Sequence, residues 1–231
     1  SFLVKADPPR METSLHQQLK RCYADRDDDT EVVMGKYRID AIRGDELIEV
    51  QCASLSAIRR KCHDLLSRHS LRVVKPVIVR TRIARAKKSG GPVMSRRLSP
   101  KRGSVLDIFE ELIYFIRIFP NPNLTLELPL IHVEQLRVPS KKRRRRWRKD
   151  YQVQDVRLES IEATIELRQP SDLLRLVGIS EELDSFNTLD IAQATDRPRW
   201  VAQQIAYVLR KTGAIEAVDR NRNGIVYERA A

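Results

Sequence analysis

The sequence contains few of the residues that stabilise small secreted domains. Its three cysteines, Cys22, Cys52 and Cys62, are too few and too scattered for a disulfide framework or a zinc cluster. Because Cys52 and Cys62 fall within apolar patterns, we expect them to be buried free thiols. Free thiols are typical of a reducing compartment, so we expect a cytoplasmic protein.

Long apolar runs and internal repeats are also absent. No apolar stretch of the sequence is long enough to span a bilayer, so we expect no membrane partner. Residues 1–10 lack the apolar core of a signal peptide. We interpret them as an N-terminal extension, with Met11 as the natural start.

Positive charge is abundant instead. Lysine and arginine together number 43 against 31 acidic residues, which gives a formal net charge of +12. Such an excess favours a polyanionic partner such as nucleic acid. At 231 residues and 42% hydrophobic, the chain can fold as one large or two small domains with a real core.

Hydrophobic periodicity predicts a mixed α/β protein. The first elements have the order α-β-β-β-α-β and cover residues 12–24, 31–34, 37–43, 46–52, 55–69 and 71–80. A basic loop or ribbon over 81–102, a helix over 104–119 and a strand or hairpin over 124–138 follow. We divide the chain into a first domain (11–138), a basic connecting segment (139–170) and a second domain (171–231).

The strands around Gly44-Asp45 carry the strongest candidate site. A two-residue turn there pairs Arg43 with Glu46 and, further back, Asp40 with Glu49. The apolar face of this hairpin comprises Ile39, Ala41, Ile48, Val50 and Cys52, and the other face carries Arg38, Asp40, Glu49 and Gln51. Opposed carboxylates repel at roughly 5 Å between Cβ atoms.

A hard divalent cation would offset that repulsion. Mg²⁺, or Mn²⁺ in its place, takes oxygen ligands such as Asp40, Glu49 and the backbone carbonyl of Val50. The alternative from spacing alone is a solvated hairpin with two surface acids, neutralised by Arg38 or Lys36.

The spacing from Asp40 to Glu49-Val50-Gln51, in this order of elements, resembles the PD-(D/E)XK nuclease superfamily. The resemblance implies a restriction-endonuclease-like αβββαβ core with a mixed central sheet, in which the Asp and the Glu bind the metal. The third position is usually a lysine that activates water, whereas Gln51 would only position the water by hydrogen bonds.

Two further acids compete for the place of the glutamate that many relatives carry on the first helix. Glu12 fits that helix as an assisting catalytic group, and Glu31 is its rival because its strand should neighbour the hairpin. His16, one turn after Glu12, is interpreted as a structural surface residue, with a phosphate contact as the alternative.

Basic residues outside the hairpin are candidates for contacts with nucleic acid. Arg59 and Arg60 lie on the helix predicted over 55–69. The helix predicted over 104–119 is preceded by Arg96, Arg97, Lys101 and Arg102. A denser run, residues 141–149, contains Arg143, Arg144, Arg145, Arg146, Trp147 and Arg148. Charges this dense favour binding to a phosphate backbone without sequence readout.

The end of the chain resembles the winged-helix superfamily. A short helix over 189–194, a turn, a longer helix from Pro198 to Thr212, and two strands around a turn-rich wing carry the resemblance. The residues that it assigns to DNA contact are Arg197, Arg199, Trp200 and Gln203. The alternative is a winged helix that serves homodimerisation or contact with a partner protein.

These observations together predict a Mg²⁺-dependent endonuclease that hydrolyses phosphodiester bonds in duplex or branched DNA. The first alternative is a nuclease-fold protein with weak or no activity that binds DNA as a scaffold or regulator. The second is an RNA-directed or partner-recruiting module.

Overall fold

A computed structural model describes residues 13–25, 30–140, 150–222 and 224–230. The predicted mixed α/β class is confirmed, because helices pack on a mixed central sheet. Within the described residues, no helix is long and apolar enough to cross a membrane.

The N-terminal elements follow the predicted order. They are α1 (Ser14–Tyr23), β1 (Thr30–Met34), β2 (Tyr37–Arg43), β3 (Glu46–Val50), α2 (Arg59–Leu66) and β4 (Ser70–Val74). A 3-10 turn at Leu55–Ile58 leads into α2, and the Ser54 side chain caps it by accepting a hydrogen bond from the Ser56 N–H.

The sheet continues through strands that are longer than the sequence suggests. They are β5 (Val77–Ala86), β6 (Val93–Leu98), β7 (Leu124–Pro139) and β8 (Tyr151–Leu167). Seven of the strands have the order β1-β2-β3-β4-β7-β5-β6, and β8 pairs with β7. Both β4 and β5 run parallel to β7, and they are separated at Pro76 because proline has no N–H to give to a sheet.

The predicted connecting segment needs correction. Residues 151–167 are not a linker but form β8, which pairs with β7 along almost its full length. The alternation that marks a strand is hidden in the sequence because three β-bulges interrupt the register of this pair. Residues 141–149, which form the basic run, lie outside the described residues.

The predicted helix over 104–119 is mostly turns. Only α3 (Ile108–Leu112) is α-helical, after a 3-10 turn that Ser104 and Asp107 close with a capping box. The turns that follow bury Phe115, Ile118 and Phe119, so packing outweighs the helical pattern here.

The two faces of the β2–β3 hairpin are both covered. Ile48 and Val50 pack with Leu15 and Leu19 of α1, whereas the neighbouring Leu47 packs in the cluster that holds the buried side chains of α2. Each helix therefore covers one face of the sheet. Cys62 of α2 is buried as predicted, but Cys52 is exposed because β3 ends at Val50 and its alternation stops there.

The C-terminal unit consists of α4 (Pro170–Val177), β9 (Ser185–Phe186), α5 (Thr188–Thr195), α6 (Arg199–Thr212), β10 (Ile215–Asn221) and β11 (Gly224–Arg229). Its small sheet has the order β10-β11-β9. The unit shares one hydrophobic cluster with the α2 side of the main sheet. An ion pair between Arg197 and Asp107, with 3.6 Å between the charged atoms, also joins the two.

Candidate metal and nucleic-acid site

The register of the β2–β3 hairpin is the predicted one. Arg43 pairs with Glu46, Ile42 with Leu47 and Ala41 with Ile48, around a turn in which Gly44 has a φ of 55°. Regular pairing stops at Ala41, so the predicted direct pair of Asp40 with Glu49 is not formed. Beyond it, the Asp40 carboxylate accepts a hydrogen bond of 2.8 Å from the Val50 N–H, which fixes Asp40 beside the end of β3.

The Asp40 carboxylate is turned toward α1. Lys20 Nζ lies 3.0 Å from one of its oxygens, and His16 Nε2 lies 3.5 Å from the other. Burial alone would raise the pKa of Asp40, but hydrogen bonds from His16 and Lys20 hold that pKa below its usual value. Asp40 is thus an ionised carboxylate at neutral pH.

The surroundings of the Glu49 carboxylate shift its pKa in the opposite direction. Its side chain is 10% exposed and forms an ion pair with Lys61 of α2. Burial, and next the negative charge of Asp40, raise the pKa of Glu49 to about 7, although the Lys61 charge opposes this rise. The negative charges of the two acids therefore repel one another, and a further positive charge between them would reduce this repulsion.

The polar groups that follow Glu49 along the chain are the Val50 carbonyl and the Gln51 side chain. The Val50 carbonyl lies 2.8 Å from His16 Nε2, and the hydrogen bond to Asp40 is the first cause of the raised pKa of His16. The Gln51 side chain turns forward and accepts a hydrogen bond of 2.9 Å from the Ala53 N–H. Asp40, Glu49 and the Val50 carbonyl are hard oxygen donors, which suit Mg²⁺ or Mn²⁺.

The alternative of two solvated surface acids is wrong for this hairpin. Only 13% of the Asp40 side chain is exposed. The proposed neutralising groups also lie elsewhere, since Arg38 pairs with Glu31 and Lys36 pairs with Asp64 at 2.9 Å.

Three basic residues of the site were assigned otherwise by the sequence. His16 is predicted at the surface, and the sequence predicts no role in the site for Lys20 and Lys61. The available signal was the i, i+4 spacing of His16 and Lys20, which puts them on one side of α1 next to its apolar stripe. Among the described residues, no group of three or more His, Cys, Asp and Glu side chains forms a metal-binding cluster.

Glu31 lies beside Asp40, as the rival prediction requires. Lys20 Nζ bridges the two acids, at 3.2 Å from Glu31 and 3.0 Å from Asp40. Glu31 also has a φ of 57°, which is uncommon for a residue with a Cβ atom and often marks a functional position. Glu12, the first choice for an assisting carboxylate, lies outside the described residues.

The predicted basic contacts are dispersed over several elements. Arg59 and Arg60 are exposed on α2, and Arg97 is exposed on β6. Arg96 is partly neutralised by Glu134 at 2.8 Å. Lys101 and Arg102 are exposed, but they do not face a free helix N-terminus, because Ser104 and Asp107 already cap it. Arg143, Arg144, Arg145, Arg146, Trp147 and Arg148 lie outside the described residues.

The residues of the C-terminal unit that are predicted to contact DNA do not all point the same way. Arg199 and Gln203 are exposed one turn apart on α6. Arg197 is directed toward Asp107 of the first domain, because it lies in the turn before α6 that packs there. Trp200 is 58% exposed and borders a groove that α6 forms with α3 and Ser54.

Comparison with known proteins identifies the family. Residues 13–168 match a family described as a domain of unknown function, DUF8091, and the chain belongs to this family. An uncharacterized protein of Treponema pallidum (strain Nichols) is 30% identical over 183 residues, which cover 79% of this chain and 72% of the relative. No solved structure matches the chain.

Proposed function

We propose that this chain is a metal-dependent DNA endonuclease of the restriction-endonuclease-like type, with a winged-helix unit for DNA binding. The observation that carries the proposal is the raised pKa of the Glu49 carboxylate, which burial and next the charge of Asp40 bring to about 7. Buried like charges are costly unless cations balance them; Lys20 and Lys61 do so in the structure, and a bound Mg²⁺ would add to that balance.

The donor set accommodates a hard cation. Asp40, Glu49 and the Val50 carbonyl would hold Mg²⁺, which prefers oxygen ligands and usually keeps several waters. Mg²⁺ supplies positive charge that polarises the scissile phosphate and the attacking water. Lys20 and Lys61 pair with these carboxylates in the structure, so they would share the carboxylates with the metal.

The chain's own groups have separate tasks in this proposal. Gln51 orients the attacking water by hydrogen bonding once its side chain leaves the Ala53 N–H. Lys61 supplies the positive charge that Gln51 lacks, because it already contacts Glu49. Lys20 holds Asp40 and Glu31 in place.

The arrangement of the C-terminal unit supports DNA as the substrate. The order α4-β9-α5-α6-β10-β11 and its three-stranded sheet resemble those of a winged helix. Arg199 and Gln203 project from the helix that would enter the major groove. Arg199 and Gln203 lie one turn apart, on a different stripe of this helix from Trp200 and Gln204, which border the groove with Ser54.

The test compares cutting with binding in matched variants. Asp40→Ala should abolish Mg²⁺-dependent cleavage, by at least about 1,000-fold, because it removes a metal ligand. DNA affinity, measured without metal, should stay within about twofold because Asp40 makes no phosphate contact. Glu162→Ala, an exposed acid on β8, is the control and should cut normally. Undiminished cleavage by Asp40→Ala would refute the proposal.

A second function, DNA binding without cleavage, is favoured by specific contacts. Lys20 and Lys61 already neutralise the two acids, and Gln51 replaces the lysine of the resembled family. A scaffold of this kind binds DNA equally well with and without Mg²⁺ or Mn²⁺ and cuts no substrate. Arg199→Ala should weaken DNA binding under either function by about 1–3 kcal/mol.

A further inference from the structure

The groove between α3 and α6 is a second candidate binding site. It encloses about 420 Å³ and is lined by Ser54, Glu110, Glu111, Ile113, Tyr114, Trp200 and Gln204. None of its lining residues belongs to the carboxylate site of the hairpin. The ligand of this groove can therefore differ from that of the carboxylate site.

Two aromatic side chains at this groove are unusually open to solvent. Trp200 is 58% exposed and Tyr114 is 57% exposed, whereas Phe109, Phe115 and Phe119 around Tyr114 are buried. Exposed aromatic rings that border one cavity are typical of recognition sites, because they offer large flat faces at little conformational cost. A planar or cationic group is the ligand that such faces stabilise best.

The polar groups of the groove are rich in acceptors. Glu111 uses one oxygen to accept from the Ser54 hydroxyl and the Leu55 N–H, and its other oxygen lies 3.5 Å from Lys75 Nζ. Glu110 is exposed and has no cationic partner among the described residues. The buried Oε1 atom of Gln204 accepts no hydrogen bond within the described part of the chain. The groove therefore favours a ligand that donates hydrogen bonds and carries positive charge.

We propose that this groove binds an arginine side chain presented by a partner protein. A guanidinium group is flat, permanently charged and rich in donors, so it can stack on Trp200 or Tyr114 while it pairs with the Glu110 carboxylate. Lysine offers a point charge without a flat face. Nucleic acid is disfavoured, because its phosphates would approach Glu110 and Glu111, which have the same sign.

The partner arginine would lie beside the loop of residues 51–54 and the N-terminal turn of α6. A partner bound there contacts both units of the chain at once. The proposal does not depend on phosphodiester cleavage, since neither Asp40 nor Glu49 lines the groove.

The test uses the full chain and a short capped peptide with one central arginine. The chain has two tryptophans, so Trp200 gives one of two indole N–H signals in a nitrogen-15 correlation spectrum, and Trp200→Phe assigns it. Titration with the arginine peptide should shift that signal. Peptides with lysine or the neutral isostere citrulline should bind at least about tenfold more weakly, because they lose the flat cation.

Matched variants locate the site. Glu110→Gln keeps shape but removes charge, and it should weaken the arginine peptide by about fivefold. Glu216→Gln, an equally exposed acid on β10, should leave the affinity unchanged. Equal binding of arginine and citrulline peptides, or equal affinity in Glu110→Gln, would overturn the proposal. So would an absence of any shift with the peptide while a single-stranded oligonucleotide shifts the Trp200 signal, which would assign the groove to a nucleobase.

Discussion

The main sheet contains two buried clusters of charge that differ in how they are balanced. In the first, Arg72 donates to Glu46, Glu127 and Glu166, and the Tyr23 hydroxyl donates to Glu127. In the second, Asp40 and Glu49 share one strand end and rely on lysines that reach over from two different helices.

The difference teaches how a structural cluster can be distinguished from a functional one. A single guanidinium at the centre of three carboxylates satisfies the first cluster within the fold. The second leaves the pKa of Glu49 raised to about 7, which means that its ionised form is poorly stabilised by the protein alone. The cluster that holds the acid with the raised pKa is therefore the better candidate for a bound cation.

Breaking the Arg72 cluster should have the largest effect on stability. Arg72→Met leaves the buried Glu127 carboxylate without its cation, so we expect a loss of about 3–5 kcal/mol in the free energy of unfolding measured by urea denaturation. Arg82→Met is the control, because its pair with Glu159 is largely exposed and should contribute less than about 1 kcal/mol. A loss below 1 kcal/mol for Arg72→Met would show that this cluster is not structural.

The second cluster should respond to pH in the opposite sense to an ordinary paired acid. Because the pKa of Glu49 is raised from its usual 4.5 to about 7, the folded chain binds a proton that the unfolded chain has lost. This stability is present below pH 4.5 and is lost as the pH rises through 7. The stability of the wild type relative to Glu49→Gln should therefore fall between pH 5 and pH 8, by up to about 3 kcal/mol.

Addition of Mg²⁺ gives a second comparison between the wild type and Glu49→Gln. At pH 8 the cation should restore the stability of the wild type and leave Glu49→Gln unaffected, because a ligand stabilises only the state that binds it. Glu162→Gln, on exposed β8, should show neither effect. A pH profile that is the same for Glu49→Gln and the wild type would contradict the assignment of the raised pKa.

The smallest expected effect is on the rate of the cleavage step. Gln51→Lys adds the charge that the resembled family carries at this position, so we expect cleavage to become faster by at least about tenfold. Gln152→Lys adds the same charge at an exposed position of β8 and controls for stronger DNA binding alone. Equal rates in the two variants would contradict the placement of Gln51 beside the attacking water.

Local chemistry determined what could be predicted from the sequence. The Gly44-Asp45 turn and the alternation of β2 and β3 were sufficient to predict the register that brings Asp40 to the end of β3. The capped helices of the C-terminal unit were also predictable, since Asn187 and Gly213 mark their ends.

Contacts between distant segments could not be predicted in this way. Lys20 faces Asp40 only because α1 packs across the hairpin, and Lys61 faces Glu49 only because α2 covers the other side. The strand β8 escaped prediction because its bulges disturb the period of two. The restriction-endonuclease-like and winged-helix assignments stay predictions.

The most direct test of a cation-dependent nuclease site at Asp40 and Glu49 is a cleavage assay of the wild-type chain. Linear, supercoiled, branched and single-stranded DNA are incubated with Mg²⁺ or Mn²⁺, and with a chelator as the control. We predict that at least one DNA substrate is cut with metal and none is cut with the chelator. Binding of DNA without cleavage of any substrate in either metal would contradict this account and favour a scaffold.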